Sequence, residues 1–189
     1  MKIVFAVLLI SFSVLVQAET GADLVGIRDK VINDDPRNKG VDIEISIREE
    51  TLKFCVKDLG PFASQNDVFR VFLQIAAALQ EHTYKQVGLC YDNQIRFLLS
   101  GEHFNGIGRE LGVQNVAYTL RTFPEKLTFP DGTSAFQVYS GGLLYVMGKQ
   151  MADVNILHRD WYLNDILEKR QADKEAKRPT EFASDDEVF

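Results

Sequence analysis

The side chains best suited to proton transfer are three histidines, His82, His103 and His158, because imidazole titrates near neutral pH without any help from its surroundings. His103 has the most suggestive neighbours. It sits in Ser100-Gly101-Glu102-His103-Phe104-Asn105-Gly106-Ile107-Gly108-Arg109-Glu110, a polar, glycine-rich stretch directly after an expected strand, and strand-end segments often carry sites. General acid–base chemistry there uses His103 as base with Glu102 or Glu110 as the orienting carboxylate, provided the groups come within hydrogen-bond reach. A plain surface helix accounts for the same residues without chemistry. His82 falls at the expected C-terminus of a central helix, where a cation meets the negative end of the dipole. His158 lies beside an apolar helical face near Trp161, the place for a packed, hydrogen-bonded ring.

A second polar group is Gln114-Asn115, Tyr118, Arg121 and Thr122, followed by Phe123-Pro124-Glu125. In a helix, Tyr118, Arg121 and Thr122 gather at i, i+3 and i+4; in a strand, Tyr118 and Thr122 share a face and Arg121 points away. Tyrosine and arginine are favoured where proteins bind, so Asn115, Tyr118, Arg121 and Thr122 are the candidate binding residues.

Familiar catalytic and ligand motifs are absent. No H-E-x-x-H pair occurs for zinc, and Gly132-Thr133-Ser134-Ala135-Phe136 lacks the last glycine of a nucleophile elbow. Between Gly101 and Gly108, Ile107 stands where a phosphate loop needs lysine. Asp35 to Gly40 loosely echoes a calcium loop, but Arg37, Lys39 and the missing glutamate spoil the cage. The sequence calls for no metal and no cofactor.

The elements that must position these residues are legible from period and turn chemistry. Val41, Ile43, Ile45 and Ile47 alternate with polar residues, as do Leu52, Phe54 and Val56, which predicts a hairpin across Arg48–Thr51. Ser64 and Asp67 mark a helix start, and the nearly continuous apolar run Val68–Leu79 predicts a buried central helix. A second hairpin pairs Val87–Tyr91 with Ile95–Leu99 through Asp92-Asn93. A short helix runs to Leu111. Val116–Phe123 is open between strand and helix, its alternation leaning slightly to strand. Leu127–Phe129 and Ala135–Tyr139 are expected to pair around Pro130-Asp131-Gly132. Leu143, Met147, Met151, Val154, Leu157 and Trp161 recur at helical steps and mark the buried side of a long C-terminal helix. The expected fold class is α+β: a largely antiparallel sheet built from hairpins in a ββαββ start, with the buried central helix and the long C-terminal helix on one face.

Parity places the two cysteines. The core positions of Leu52–Asp58 are even and those of Gln86–Asp92 are odd, so Cys55 and Cys90 both point to the outer face of the sheet. If their strands adjoin, they form a structural disulfide; if not, they are two half-buried thiols. No C-x-x-C spacing suggests redox activity.

Composition sets the outer bounds. The chain has 189 residues, with 46% hydrophobic residues and 13 Phe, 6 Tyr and 1 Trp, enough for one folded domain with a real core. Its net charge of −6 argues against nucleic acid, which needs a concentrated basic face. Residues 1–18 have the layout of a secretory signal peptide: Lys2, an apolar run from Ile3 to Val16, and Val16 and Ala18 before the cut. That predicts a domain over 19–171 in the periplasm or outside the cell, membrane contact only through an uncleaved leader, and a charged, solvated tail over 172–189. The terminal Phe189 after an acidic run suits capture by a PDZ-type groove. The expected function is an exported, non-catalytic binding or interaction protein acting on a protein or small ligand. The alternative is a small exported hydrolase with His103 as general base.

Overall fold

The computed structural model describes residues 21–177. The expected signal peptide of 1–18 and the terminal Phe189 lie outside the described residues.

Alternating hydrophobicity builds the sheet. β1 (Val41–Arg48) and β2 (Thr51–Leu59) form one antiparallel hairpin; β3 (Gln86–Tyr91) and β4 (Gln94–Ser100) form the other. Each turns on two residues of positive φ: Glu49 and Glu50 at 50° and 64°, Asp92 and Asn93 at 45° and 65°. Such turns match the right-handed twist of the flanking strands. Between the hairpins, α2 (Gln65–Ala78) carries the chain back over the sheet, so β2 and β3 run parallel in the strand order β1-β2-β3-β4. The fold is α+β with a four-stranded mixed sheet, two antiparallel pairs joined by one parallel pair.

The even residues of β2 face the helices. Phe54 meets Phe72 of α2 edge to face at 5.2 Å and Trp161 at 5.8 Å, and Phe72 also contacts Phe104 and Phe123. This aromatic cluster is the centre of the core. At the start of α2, the Asp67 carboxylate accepts from both the backbone N–H and the hydroxyl of Ser64, each at 2.7 Å. α1 (Gly21–Asp34) lies against β1 and α2. The loop after it is pinned by buried Asn38, whose amide donates to the Val31 carbonyl at 2.8 Å and to Gln74 at 2.6 Å. Asp35 and Arg37, which echoed a calcium loop, instead bond to each other at 2.7 Å.

The register answers the cysteine question. Cys55 stands opposite Cys90 on the parallel strands, their Cα atoms 4.3 Å apart, and the two form a disulfide. Both are buried, not half-buried. Ile95 leans over Gly88 on this outer face, and Lys57 pairs with Glu44 beside it at 3.5 Å. A disulfide fits a non-reducing compartment. Among the described residues no helix is long and apolar enough to cross a membrane.

Three local expectations are settled or corrected. Val116–Thr122, open between strand and helix in the sequence, is a helix, α4. Asn115 caps it by accepting from the Ala117 N–H at 2.9 Å, and Thr122 donates back to the Tyr118 carbonyl at 2.9 Å. These local bonds favour helix over an alternation only three residues deep. Leu127–Phe129 and Ala135–Tyr139 do not form paired strands; Thr128 makes single bridges to Leu98 and Ser134. Phe129 and Phe136 are drawn instead onto the ring of Phe97, at 5.6 and 5.8 Å.

The third correction concerns the long helix, α5 (Leu143–His158). Val154, Leu157 and Trp161 are buried as expected, but Leu143, Met147 and Met151 are exposed, while Gln150, Asp153 and His158 face inward. A π-helical turn at Arg159–Leu163 leads into α6 (Asn164–Ala176). Helix thus continues past residue 172, although its residues there are solvated.

Candidate functional site

Two glycines set the position of the helix carrying His103. α3 (Gly101–Glu110) begins where Ser100 accepts from the His103 N–H at 3.2 Å. A Cβ at Gly101 would collide with the Tyr84 carbonyl, and one at Gly108 with the Ala76 carbonyl. Glycine therefore lets α3 lie directly on the backbone of α2 and its following loop. Phe104 turns into the aromatic cluster, and His103, Ile107 and Glu110, spaced i, i+4 and i+7, line the adjacent side.

That side is one wall of a groove of about 310 Å³. The opposite wall is α4, with Tyr118, Thr119 and Thr122. Phe123, Glu125 and Lys126 complete it. Glu125 is held by the amide of Gln150 at 2.6 Å, which ties the groove to α5. Partial burial lowers the His103 pKa, and the positive charge of Lys126 lowers it further against the opposing pull of Glu110 and Glu102. The imidazole is therefore neutral at pH 7, able to donate through one nitrogen and accept through the other.

The structure brings together His103, Glu110, Tyr118 and Thr122, which belong to two separate groups in the sequence. It separates others. Glu102 is exposed and does not line the groove. Asn115 is engaged as the cap of α4, and the Thr122 hydroxyl is engaged by backbone carbonyls. Arg121 lies over the Tyr118 ring, 5.2 Å from its centre, and stiffens that side chain instead of lining the groove. Among the described residues, no hydrogen bond or ion pair links the His103 ring to a carboxylate or hydroxyl.

Gln114 and Glu125 belong to the polar stretch read from the sequence; Lys126, which follows Thr122 at i+4 just beyond the helix, stands outside it. The other histidines lie outside the groove. His158 is fully buried, its Nδ1 2.8 Å from the Tyr162 hydroxyl. His82 lies beyond the end of α2, and its carbonyl accepts from Asn105 at 2.7 Å. Among the described residues, no three His, Cys, Asp or Glu side chains converge as a metal site.

Compared with protein families, with curated proteins and with solved structures, the chain has no match.

Proposed function

We propose that this is an exported, non-catalytic binding protein, periplasmic or extracellular, that holds a polar ligand or a polar segment of a partner protein in the α3–α4 groove. The observation that carries this reading is the groove's lining. A neutral imidazole, a tyrosine, two carboxylates and one ammonium group surround an apolar floor of Ile107 and Phe123. Such a surface offers donors and acceptors of both charges, which suits recognition. The Cys55–Cys90 bridge supports the compartment, since such bridges persist where thiols are oxidised.

A second reading, a small exported hydrolase with His103 as general base, draws support from the neutral imidazole and from Glu110 in the same groove. It requires ligand-driven closure to bring a carboxylate onto the ring.

The deciding experiment is affinity capture from the protein's own exported fraction, followed by titration of the captured ligand. Binding saturates with the native chain and weakens at least tenfold with Tyr118→Ala plus Lys126→Ala. A captured species that binds the double variant equally well places recognition elsewhere. Turnover of that species, lost with His103→Ala, favours the hydrolase.

A further inference from the structure

α5 carries a carboxylate that the fold buries and leaves half satisfied. Asp153 is only 7% exposed. Its Oδ1 accepts from the Tyr139 hydroxyl at 3.2 Å, and Tyr139 keeps that proton because burial and the facing carboxylate raise its pKa above the ordinary value. Its Oδ2 has no hydrogen-bond partner. Among the described residues no Lys, Arg or His pairs with Asp153. Lys149, one turn back along the helix, lies instead over the Tyr145 ring, 5.9 Å from its centre. A buried carboxylate without a countercharge is unfavourable, so a cation from outside the fold is stabilised on reaching it. A route exists. Asp153 lines an open groove of about 760 Å³ between α5 and the irregular segment 134–139, a size within the ordinary range of small-molecule sites.

We propose that this groove binds a small alkylammonium ion, its nitrogen on Asp153 Oδ2 and its aliphatic stem along the groove. The chemistry of the lining selects that class. A carboxylate with one oxygen already engaged suits a compact point charge; the planar fork of a guanidinium pairs best with both oxygens. Phe136 and Tyr139 line the groove, and aromatic rings favour a cation over a neutral analogue. Ala135, Val138 and Ile156 supply apolar contact for a stem of a few methylene groups. An anion would meet the carboxylate. A metal ion would lack ligands, since among the described residues no three His, Cys, Asp or Glu side chains converge. The chain's net charge of −6 raises the local concentration of cations around it. This site is separate from the α3–α4 groove and does not rest on the function assigned to that groove.

The test is calorimetric titration of the full chain with n-pentylammonium chloride at low ionic strength, where the charge contact is least screened. One equivalent binds with a dissociation constant of about 1 mM or below. Pentanol, which has the same stem and no charge, binds at least about tenfold more weakly. Asp153→Asn keeps an acceptor for Tyr139 and removes the charge, so it weakens n-pentylammonium at least about tenfold. Val138→Lys reads the same site without touching a buried residue. Val138 is 75% exposed, and an ammonium tethered there competes with the ligand for a similar loss. Tyr139→Phe frees Oδ1, and n-butylguanidinium then gains affinity because its fork finds both oxygens. Nα-acetyl-lysine amide binding more tightly than n-pentylammonium assigns the site to a lysine of a partner protein; weaker binding assigns it to a free amine. Absence of saturation up to roughly 50 mM n-pentylammonium overturns the proposal. So does binding that Asp153→Asn or Val138→Lys leaves intact. Equal binding of pentanol also overturns it, by making the groove an apolar hollow only. Tyr118→Ala plus Lys126→Ala leaves this titration unchanged, which separates it from the α3–α4 groove.

Discussion

The indole N–H of Trp161 donates to the carbonyl of Cys90 at 3.1 Å, and both residues are fully buried. The bond ties the π-helical turn to the strand that carries the disulfide. It reaches β3 where the pairing with β4 slips between Leu89 and Cys90, a place where an irregular ladder leaves backbone groups to be satisfied from outside it. One side chain thus links the C-terminal helices, the sheet and the covalent bridge.

Trp161→Phe keeps an aromatic ring and removes the donor, so the Cys90 carbonyl is left buried without that partner. Unfolding free energy falls by about 1–3 kcal/mol, with a further loss from the smaller ring. Urea unfolding followed by circular dichroism measures it, since the substitution removes the chain's sole tryptophan. An unchanged midpoint would show that the bond contributes nothing.

Cys55→Ala together with Cys90→Ala opens a loop of 35 residues. In the chain-entropy treatment the bridge stabilises by about 4 kcal/mol, and the double variant should lose most of that in the same urea experiment. The companion measurement is thiol titration of the unreduced, denatured native chain, where free thiols would contradict the bridge.

Burial pushes His158 down to about 4 from its ordinary 6.5. The unfolded chain takes up a proton near pH 6.5, but the folded chain does so only near 4. Stability from this group is full above pH 6.5 and is lost as pH falls towards 4, by about 3 kcal/mol in all. Asp58 and Asp67 sit below their ordinary value of 3.8, so their losses begin at lower pH. Unfolding free energy measured between pH 4 and 7 should rise with pH, and His158→Phe should flatten that slope even though it also removes the Tyr162 partner.

Two glycines of α3 make a matched pair. Gly106→Ala meets open space and gains helix propensity of about 1 kcal/mol. Gly108→Ala gains the same propensity but drives a methyl group into the Ala76 carbonyl, for a net loss of about 1–3 kcal/mol. Opposite shifts in thermal midpoint are expected. Two equal shifts would mean that α3 does not rest on α2 at Gly108.

Much of the candidate site was legible as parts and not as a site. His103 and Glu110 were visible as one group and Tyr118 and Thr122 as another, yet nothing in their spacing says that α3 and α4 face each other. Lys126 falls outside both groups, and the place of Glu125 in the groove depends on its contact with the distant Gln150. Val116, Tyr118 and Leu120 leave strand and helix open for a simple reason: over seven residues, a period of two and a period of 3.6 share too many positions to be separated.

The sequence by itself determined the two hairpins, the inward parity of β2 and β3 and the buried run of α2. These depend on side chains within a few residues of one another, through alternation, turn conformation and helical period. Tertiary structure decided which strands adjoin, and so the pairing of Cys55 with Cys90. It also decided the helical state of α4 and which part of α5 is covered. Each of those outcomes is set by partners far along the chain. The apolar period of α5 puts Leu143, Met147, Val154 and Leu157 on one side, yet only Val154 and Leu157 are buried, because burial depends on where the rest of the molecule covers the helix, and no local pattern carries that information.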